Sequence, residues 1–299
     1  MKVGFLGMGV MGLPMAKNLV KKSGHEIVGF DVADKRLEEF AAAGGTAVKD
    51  ADEIYKTCDI IMQILPTHAI IRDSVEKAIK FGKPGRIIVD LSSTAPHIIQ
   101  EMYEDAKKAG MFLLDSPISG GNPMAIAGTL AIMTGGDKEA FEKVKPLLEC
   151  LGNPVYTGSA GSGSVTKLVN NIIAGAYMVV MAEGYAFAAK AGIDLQTTFE
   201  ATRGGFAGGP AYDNKVPKII HRDYEPGARI AVHRKDIVNA KDYAHHMGVD
   251  TPMTDVVLMV MDWMKDNGHI DEDQAAMVKY YEEKMGVTVG SAPDDAETL

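Results

Sequence analysis

Cysteine is nearly missing from this chain: Cys58 and Cys150 are the two among 299 residues. So sparse a pair excludes a disulfide framework and a cysteine-based metal site. It fits a reducing, cytoplasmic setting. Basic clusters are missing as well. Lys and Arg number 31 against 40 Asp and Glu, a net charge of −9 with no long basic run. That excludes nucleic acid as a partner, because a phosphate backbone needs clustered cations. Long apolar runs are also lacking. The most suspicious, Ile172–Ala182, falls well short of the roughly 20 residues that span a bilayer. Flanked by Asn170, Asn171 and Glu183, it reads as a helix buried on most sides inside a protein, and no membrane partner is expected. His68, His97, His221, His233, His245, His246 and His269 are scattered without metal-ligand spacing beyond the adjacent His245–His246 pair, so no metal is expected. There is no internal repeat.

What is present suits a globular protein: 46% hydrophobic and 24% charged residues, in a length that accommodates two domains. The chain opens with a short apolar run, Val3–Leu6, and then Gly7-x-Gly9-x-x-Gly12. Met11, Met15, Leu19 and Val20 follow at helical spacing. Strand, glycine turn and helix together are the context that turns a weak pattern into a dinucleotide site. Gly7 permits the tight turn, Gly9 lets the backbone approach a pyrophosphate, and Gly12 lets the helix pack close to the strand. Val10 and Met11 stand at the helix entrance, where free N–H groups and the positive dipole end favour phosphates. Asp31 ends the next apolar run, Ile27–Phe30. A carboxylate there accepts hydrogen bonds from an adenosine ribose and repels a 2′-phosphate, which favours NAD over NADP.

Apolar strands at 2–6, 26–30, 59–65, 86–91, 111–114 and 129–133 alternate with helical stretches near 10–22, 34–43, 67–80, 95–109 and 137–150. Such alternation predicts an α/β domain with a mostly parallel sheet and helices on both faces. Ligands bind such sheets at the carboxyl ends of the strands, which singles out loops 7–12, 65–68, 91–96 and 115–122. After the Gly/Ser-rich segment at 157–164 the strand signal nearly vanishes. Helical patterns run near 162–191, 194–203, 234–247, 253–267 and 273–285, and 204–231 reads as irregular, with five glycines and three prolines. The expected division is 1–160, a helical domain at 161–290 and a flexible tail at 291–299.

Three further segments carry polar groups suited to chemistry. In Asp115–Gly121, the residues Ser119, Gly120 and Gly121 suit a nest of backbone N–H groups and a hydroxyl for an anion such as a carboxylate, or a plain turn. Lys167 and Asn171, four apart, share a helix face with Ala160, Val165, Leu168 and Ile172 around them. A lysine in an apolar cleft loses solvation, its pKa falls and it can serve as a general acid or base, although most lysines reach out to solvent. Lys235 and Asp236 read as the charged opening of a helix, with Asp236 complementing the dipole.

Taken together, GFLGMGVMGLPMAKNL, DSPISGGNPMAIAG, GSAGSGSVTKLVNN and KDIVNAKDYA, in this order across roughly residues 2–290, resemble the β-hydroxyacid dehydrogenase family. The resemblance implies an N-terminal doubly wound Rossmann-type domain joined by a long interdomain helix to an all-helical domain. It implies Lys167 as catalytic general acid/base with Asn171 as its substrate-orienting partner, and a small carboxylate substrate held at Ser119, Gly120 and Gly121. Leu65, Pro66 and Thr94 would lie along the cofactor and Lys235 close to its nicotinamide end, with a homodimer or homotetramer formed largely through helical domains. The implied reaction is oxidation of a short 3-hydroxy acid, as with 3-hydroxyisobutyrate. Tartronate semialdehyde and 2-(hydroxymethyl)glutarate reduction are alternatives within the family, and an imine-reducing relative or a non-catalytic dinucleotide sensor are alternatives outside it. A phosphosugar-acid decarboxylating enzyme would want a phosphate-binding basic cluster and a much longer helical domain. Ala228 stands where the family usually has an aromatic, and ATRGGFAGG at 201–209 departs from its usual pattern. Arg203, Phe206 and Arg229 in these altered loops are candidates for substrate or cofactor contact.

Overall fold

The structure is a computed structural model that describes residues 1–291. All of the tail expected at 291–299 except Ser291 lies outside the described residues. Contacts divide the chain into two compact units, Met1–Lys167 and Leu168–Leu299.

The first unit runs β1 (Lys2–Leu6), α1 (Gly12–Lys22), β2 (Glu26–Phe30), α2 (Asp34–Ala41), β3 (Thr46–Ala47), α3 (Ala51–Thr57), β4 (Ile60–Gln63), α4 (His68–Lys80), β5 (Ile87–Asp90), α5 (Pro96–Lys108) and β6 (Phe112–Asp115). These six strands pair in parallel in the order β3-β2-β1-β4-β5-β6. This is the order of two mononucleotide-binding halves that meet between β1 and β4, the doubly wound sheet expected. The unit continues with β7 (Ile118–Ser119), α6 (Gly121–Ala127), β8 (Leu130–Gly135), α7 (Lys138–Glu149) and β9 (Gly152–Gly158). Strand β8 lies antiparallel to β6 and β7 and parallel to β9.

Both faces of the sheet are apolar. Val3, Phe5, Met62, Val89 and Leu114 pack with Met15 and Leu19 of α1 and Phe141 and Val144 of α7. Leu6, Ile61, Ile88 and Leu113 pack with Ile54, Ile71, Val75, Ile99 and Met102 on the other side. Each cysteine is buried in one of these layers, and burial pushes both thiols up from their ordinary range. One rung breaks the apolar rule. Register pairs Gln63 with Asp90 and Asp90 with Asp115, so the three share one face of the sheet, and all are buried.

Helix α8 (Ser162–Lys190) starts in the first unit and runs on into the second, which contains α9 (Leu195–Thr202), α10 (Pro210–Ile220), α11 (Ile230–Met247), α12 (Pro252–Asp266), a 3₁₀ turn (Gln274–Met277) and α13 (Val278–Met285). Val216, Ile219, Ile237, Val257, Met261 and Val278 are fully or nearly fully buried at its core. Several expectations need correction. Segment 204–231 holds α10, with Pro210 in its first turn, where no N–H is needed, and Pro217 inside it. Helix α11 begins at Ile230, so Lys235 and Asp236 lie in its second turn rather than at its opening. Helix α8 is long and apolar enough to cross a membrane by length and composition, and 44% of its most apolar stretch is buried. It is not buried on most sides: Val169, Ile173, Val180 and Phe187 are exposed and fall on one helical stripe.

The second unit also buries an ion pair. Lys215 Nζ lies 2.7 Å from Asp273 Oδ1, and Asp273 is fully buried. The same carboxylate accepts backbone N–H groups from Ala228 at 2.8 Å and Ala275 at 3.1 Å, tying the approach to α11 to the 3₁₀ turn. Replacing Lys215 by Ala strands a buried charge, so we expect a loss of about 3–5 kcal/mol in urea unfolding. A loss under about 1 kcal/mol, typical of an exposed pair, would contradict this account.

Candidate active site

The three glycines of the first turn have different physical reasons. Gly7 has φ +89°, and a Cβ there would lie 2.3 Å from the Ile64 carbonyl oxygen. A Cβ on Gly12 would lie 2.0 Å from the Gly7 carbonyl oxygen. Both are required by the packing of α1 against β1 and β4. Gly9 is different, for a Cβ there would meet nothing within 4 Å. The protein itself does not need that position bare, and the space above it fits a dinucleotide pyrophosphate brought against the backbone. Beside it, Val10 and Met11 lead into α1, which has no side-chain cap, so its N-terminal dipole remains for an anion. At the end of β2, Asp31 is held by two backbone donors, Met8 N to Oδ2 at 2.5 Å and Ala33 N to Oδ1 at 2.8 Å. The carboxylate is thereby fixed next to the glycine turn with lone pairs remaining for ribose hydroxyls.

The next two loops are anchored from below. Leu65 N donates to Ser92 Oγ at 2.9 Å, which links the loop after β4 to that after β5. Leu65 lies against Gly7, its Cδ2 being 3.1 Å from where a Cβ would stand, and the adjoining Pro66 is exposed. Thr94 is buried, and its hydroxyl donates to Asp90 Oδ2 at 2.7 Å. Thr94 therefore faces the sheet with its proton, and its loop is pinned in place. Burial pushes the Asp90 carboxyl up, against the pull of its bonds to Ser92 and Thr94. Tyr55, Ser74 and Gln63 extend this network, with Tyr55 donating to Ser74 at 2.9 Å and Ser74 to Gln63 Oε1 at 2.6 Å.

The loop after β7 is built on two glycines. Ser119 ends β7, and Gly120 and Gly121 take φ of +136° and +70°, conformations that favour glycine. Asn122 Nδ2 donates to the Val10 carbonyl at 2.7 Å, so this loop and the glycine turn are joined directly. Lys167 is half-buried in the second turn of α8, and Asn171 lies one turn further along the same helix.

Within the second unit Asn171 is buried and tightly constrained. Its Nδ2 donates to Asp236 Oδ2 at 2.7 Å, and its Oδ1 accepts from Asn170 Nδ2 at 3.0 Å. His233 Nε2 lies 2.9 Å from the Asn171 carbonyl oxygen, and Gln274 Nε2 lies 2.9 Å from His233 Nδ1. A carbonyl only accepts and an amide nitrogen only donates, so His233 carries its proton on Nε2. Asp236, which the sequence alone presented as a solvated helix start, is a buried partner of Asn171. No local pattern announces that role, since the partners are 65 residues apart. Lys235 is exposed, its Nζ 3.9 Å from Asp236 Oδ1. Arg203 pairs with Asp213 at 3.3 Å and Arg229 with Asp271 at 3.3 Å, while Phe206 is fully exposed. Among the described residues no group of three or more His, Cys, Asp or Glu could hold a metal ion.

A family model described as the NAD binding domain of 6-phosphogluconate dehydrogenase matches residues 2–161. Another, described as NAD-binding of NADP-dependent 3-hydroxyisobutyrate dehydrogenase, matches residues 161–281. The 2-(hydroxymethyl)glutarate dehydrogenase of Eubacterium barkeri is 32% identical, covering 96% of this chain and 97% of that protein. The chain belongs to the β-hydroxyacid dehydrogenase family. It is a dehydrogenase with an NAD(P)-binding Rossmann-type domain and a helical C-terminal domain. The 2-hydroxy-3-oxopropionate reductase of Escherichia coli K12 is 34% identical to this dehydrogenase, covering 94% of it and 97% of the reductase. A solved structure of Mycobacterium tuberculosis 3-hydroxyisobutyrate dehydrogenase with L-serine superimposes with a TM-score of 0.86 at 29% identity, covering 93% and 98% of the two chains.

The unequal roles of the glycines give a test. Gly9→Ala should leave unfolding stability within about 0.5 kcal/mol and weaken dinucleotide binding about tenfold or more, measured by titration calorimetry. Gly12→Ala should lower stability itself by about 1–3 kcal/mol through overpacking. Equal stability losses in the two variants would show that Gly9 serves packing instead.

Proposed function

We propose that this dehydrogenase reversibly oxidises a short 3-hydroxy acid to its semialdehyde or keto form with NAD, using Lys167 as general acid/base. The observation that supports the reading is the hydrogen bond from Asn122 to the Val10 carbonyl, which joins the loop proposed to hold the carboxylate to the glycine turn proposed to hold the dinucleotide. When bound, the dinucleotide supplies a nicotinamide that accepts or returns a hydride. Lys167 takes the hydroxyl proton during oxidation and gives it back during reduction. Asn171, aligned by Asp236, offers its second amide proton to the same substrate oxygen. Ser119 and the backbone of Gly120 and Gly121 hold the substrate carboxylate, and Lys235 serves the nicotinamide end. Leu65, Pro66 and the Thr94 loop line the dinucleotide.

The named relatives support the substrate class. Their substrates, 2-(hydroxymethyl)glutarate and 2-hydroxy-3-oxopropionate among them, share an oxygen-bearing carbon two bonds from a carboxylate. Reduction in the opposite direction, as in the E. coli reductase, is the second reading, favoured by its 34% identity. The exposed stripe of α8 supports a homodimer or homotetramer built through the helical unit. A screen for NAD reduction over 3-hydroxyisobutyrate, 2-(hydroxymethyl)glutarate, glycerate, threonate and hydroxy-sulfonates tests the class. Failure of all of them, in either direction, overturns it.

Lys167→Ala should lower kcat by about 10²–10⁴-fold with dinucleotide affinity unchanged. Turnover near that of the wild type would remove Lys167 from the chemistry. Asp31→Ala should lower the ratio of NAD to NADP affinity about tenfold or more, since a charge-assisted hydrogen bond contributes about 1.5–3 kcal/mol. An unchanged ratio would place the ribose elsewhere.

A further inference from the structure

Asp115 has no role in the reaction described above, yet it precedes Ser119 by four residues and bonds to the start of the helix that carries Lys167. Its side chain is 1% exposed. Oδ1 accepts the Gly161 N–H at 2.9 Å, and Oδ2 accepts the Ser164 N–H at 2.7 Å. These donors belong to the entry and first turn of α8, where backbone N–H groups lack helical partners. The junction is close-packed. A Cβ on Gly163 would lie 2.3 Å from the Met133 carbonyl oxygen and 2.4 Å from that of Asp115, and one on Gly135 would lie 2.6 Å from Asp115 Oδ1. Glycine at both positions lets the helix end press against the ends of β6 and β8. Ser164 is three residues before Lys167, and Asp115 is four before Ser119. One carboxylate thus connects the two short segments that carry the proton-handling and carboxylate-holding residues.

We propose that Asp115 is a positioning residue that bolts the first turn of α8 to the end of β6 and so sets the reach of the Lys167 amine toward the Ser119–Gly121 loop. Burial makes charge expensive at this place and pushes the carboxyl up to about 6, although the backbone bonds oppose the shift. A carboxylate retained where burial disfavours it is more common at functional sites than in inert cores. Above that pH the ionised group accepts both N–H bonds. Once protonated, the carboxyl keeps one full acceptor and turns the other oxygen into a weaker one that carries a proton, so one of the two attachments is loosened. The titratable groups on elements packed against it are Asp90 at the end of β5, whose carboxyl burial also pushes up, and Lys167 on α8. Strand β8 presents the uncharged Thr134 and Gly135 there.

The proposal rests on Lys167 as the acid/base, and its test separates the two. Asp115→Asn keeps the shape but turns an N–H₂ toward one backbone donor. Ser164→Pro removes one donated N–H in the first turn, where the helix itself uses none, and sets the ring Cδ against the Asp115 carboxylate. In Asp115→Asn we expect kcat to fall roughly 100-fold, the scale of a small misplacement of reacting groups. KM and dinucleotide affinity should stay within about threefold, and the acid limb of kcat near pH 6 should disappear. Ser164→Pro should lower kcat as well, because it breaks the same attachment from the helix side. Amide hydrogen exchange at Gly161 and Ser164, followed by mass spectrometry without any substrate, should lose protection in Asp115→Asn. Retention of kcat within threefold in both variants, or an unaltered acid limb in Asp115→Asn, overturns the proposal. If Asp115→Asn fails to fold, Ser164→Pro together with the pH dependence of wild-type exchange decides it. Loss of exchange protection alongside an active Lys167→Ala enzyme would keep the bolt and discard the acid/base reading.

Discussion

Strands that run in one direction must deliver their loops to one edge of the sheet, and this constraint governs the first unit. Strands β1, β4, β5 and β6 each end in a segment with polar or glycine-rich character, so the turn at 7–12, the loops at 65–66 and 92–94 and the approach to Ser119 all emerge together. Side chains beneath that edge hold it in shape. Gln63, Asp90 and Asp115 occupy the last rung of the central strands in register, replacing the apolar residues that fill the rungs below. Buried polar groups destabilise a fold unless their hydrogen bonds are made. Here they are made to the loops: Thr94 and Ser92 to Asp90, Gly161 and Ser164 to Asp115.

The second unit solves a related problem with helices. A lone buried asparagine is adaptable, since its amide can rotate to suit any partner. Asn171 is denied that freedom by Asp236 on one side and Asn170 on the other. His233 and Gln274 then extend the chain of bonds into the core. Each donor faces an acceptor throughout, so the orientation of the amide is decided by hydrogen-bond polarity rather than by shape alone.

Much of this was legible in the residue order. Buried parallel strands are nearly continuous apolar runs, which is why β1, β2, β4, β5 and β6 stand out, and glycine spacing marked the first turn. Other elements escaped for physical reasons. Strand β9 contains Pro154 and pairs with β8 alone, an edge position that tolerates a missing N–H and therefore has no clean strand signature. Helices α6 and α10 are written in turn-forming residues, and α6 is entered and left through glycines at positive φ. Lys167 and Asn171 could be paired from their spacing, because four residues make a helical turn. Asp115 and Asp236 could not be placed, because each owes its burial to partners 46 to 65 residues away along the chain.

The two thiols have a practical meaning. Cys58 and Cys150 both lie in the first unit, in layers on opposite faces of its sheet, and both are shielded from reagents while the fold is closed. Their modification rate therefore measures how often that unit opens, separately for each face. The helical unit contributes no thiol and stays silent. The molecule carries its own stopwatch for breathing motions of the first unit, usable without substitutions.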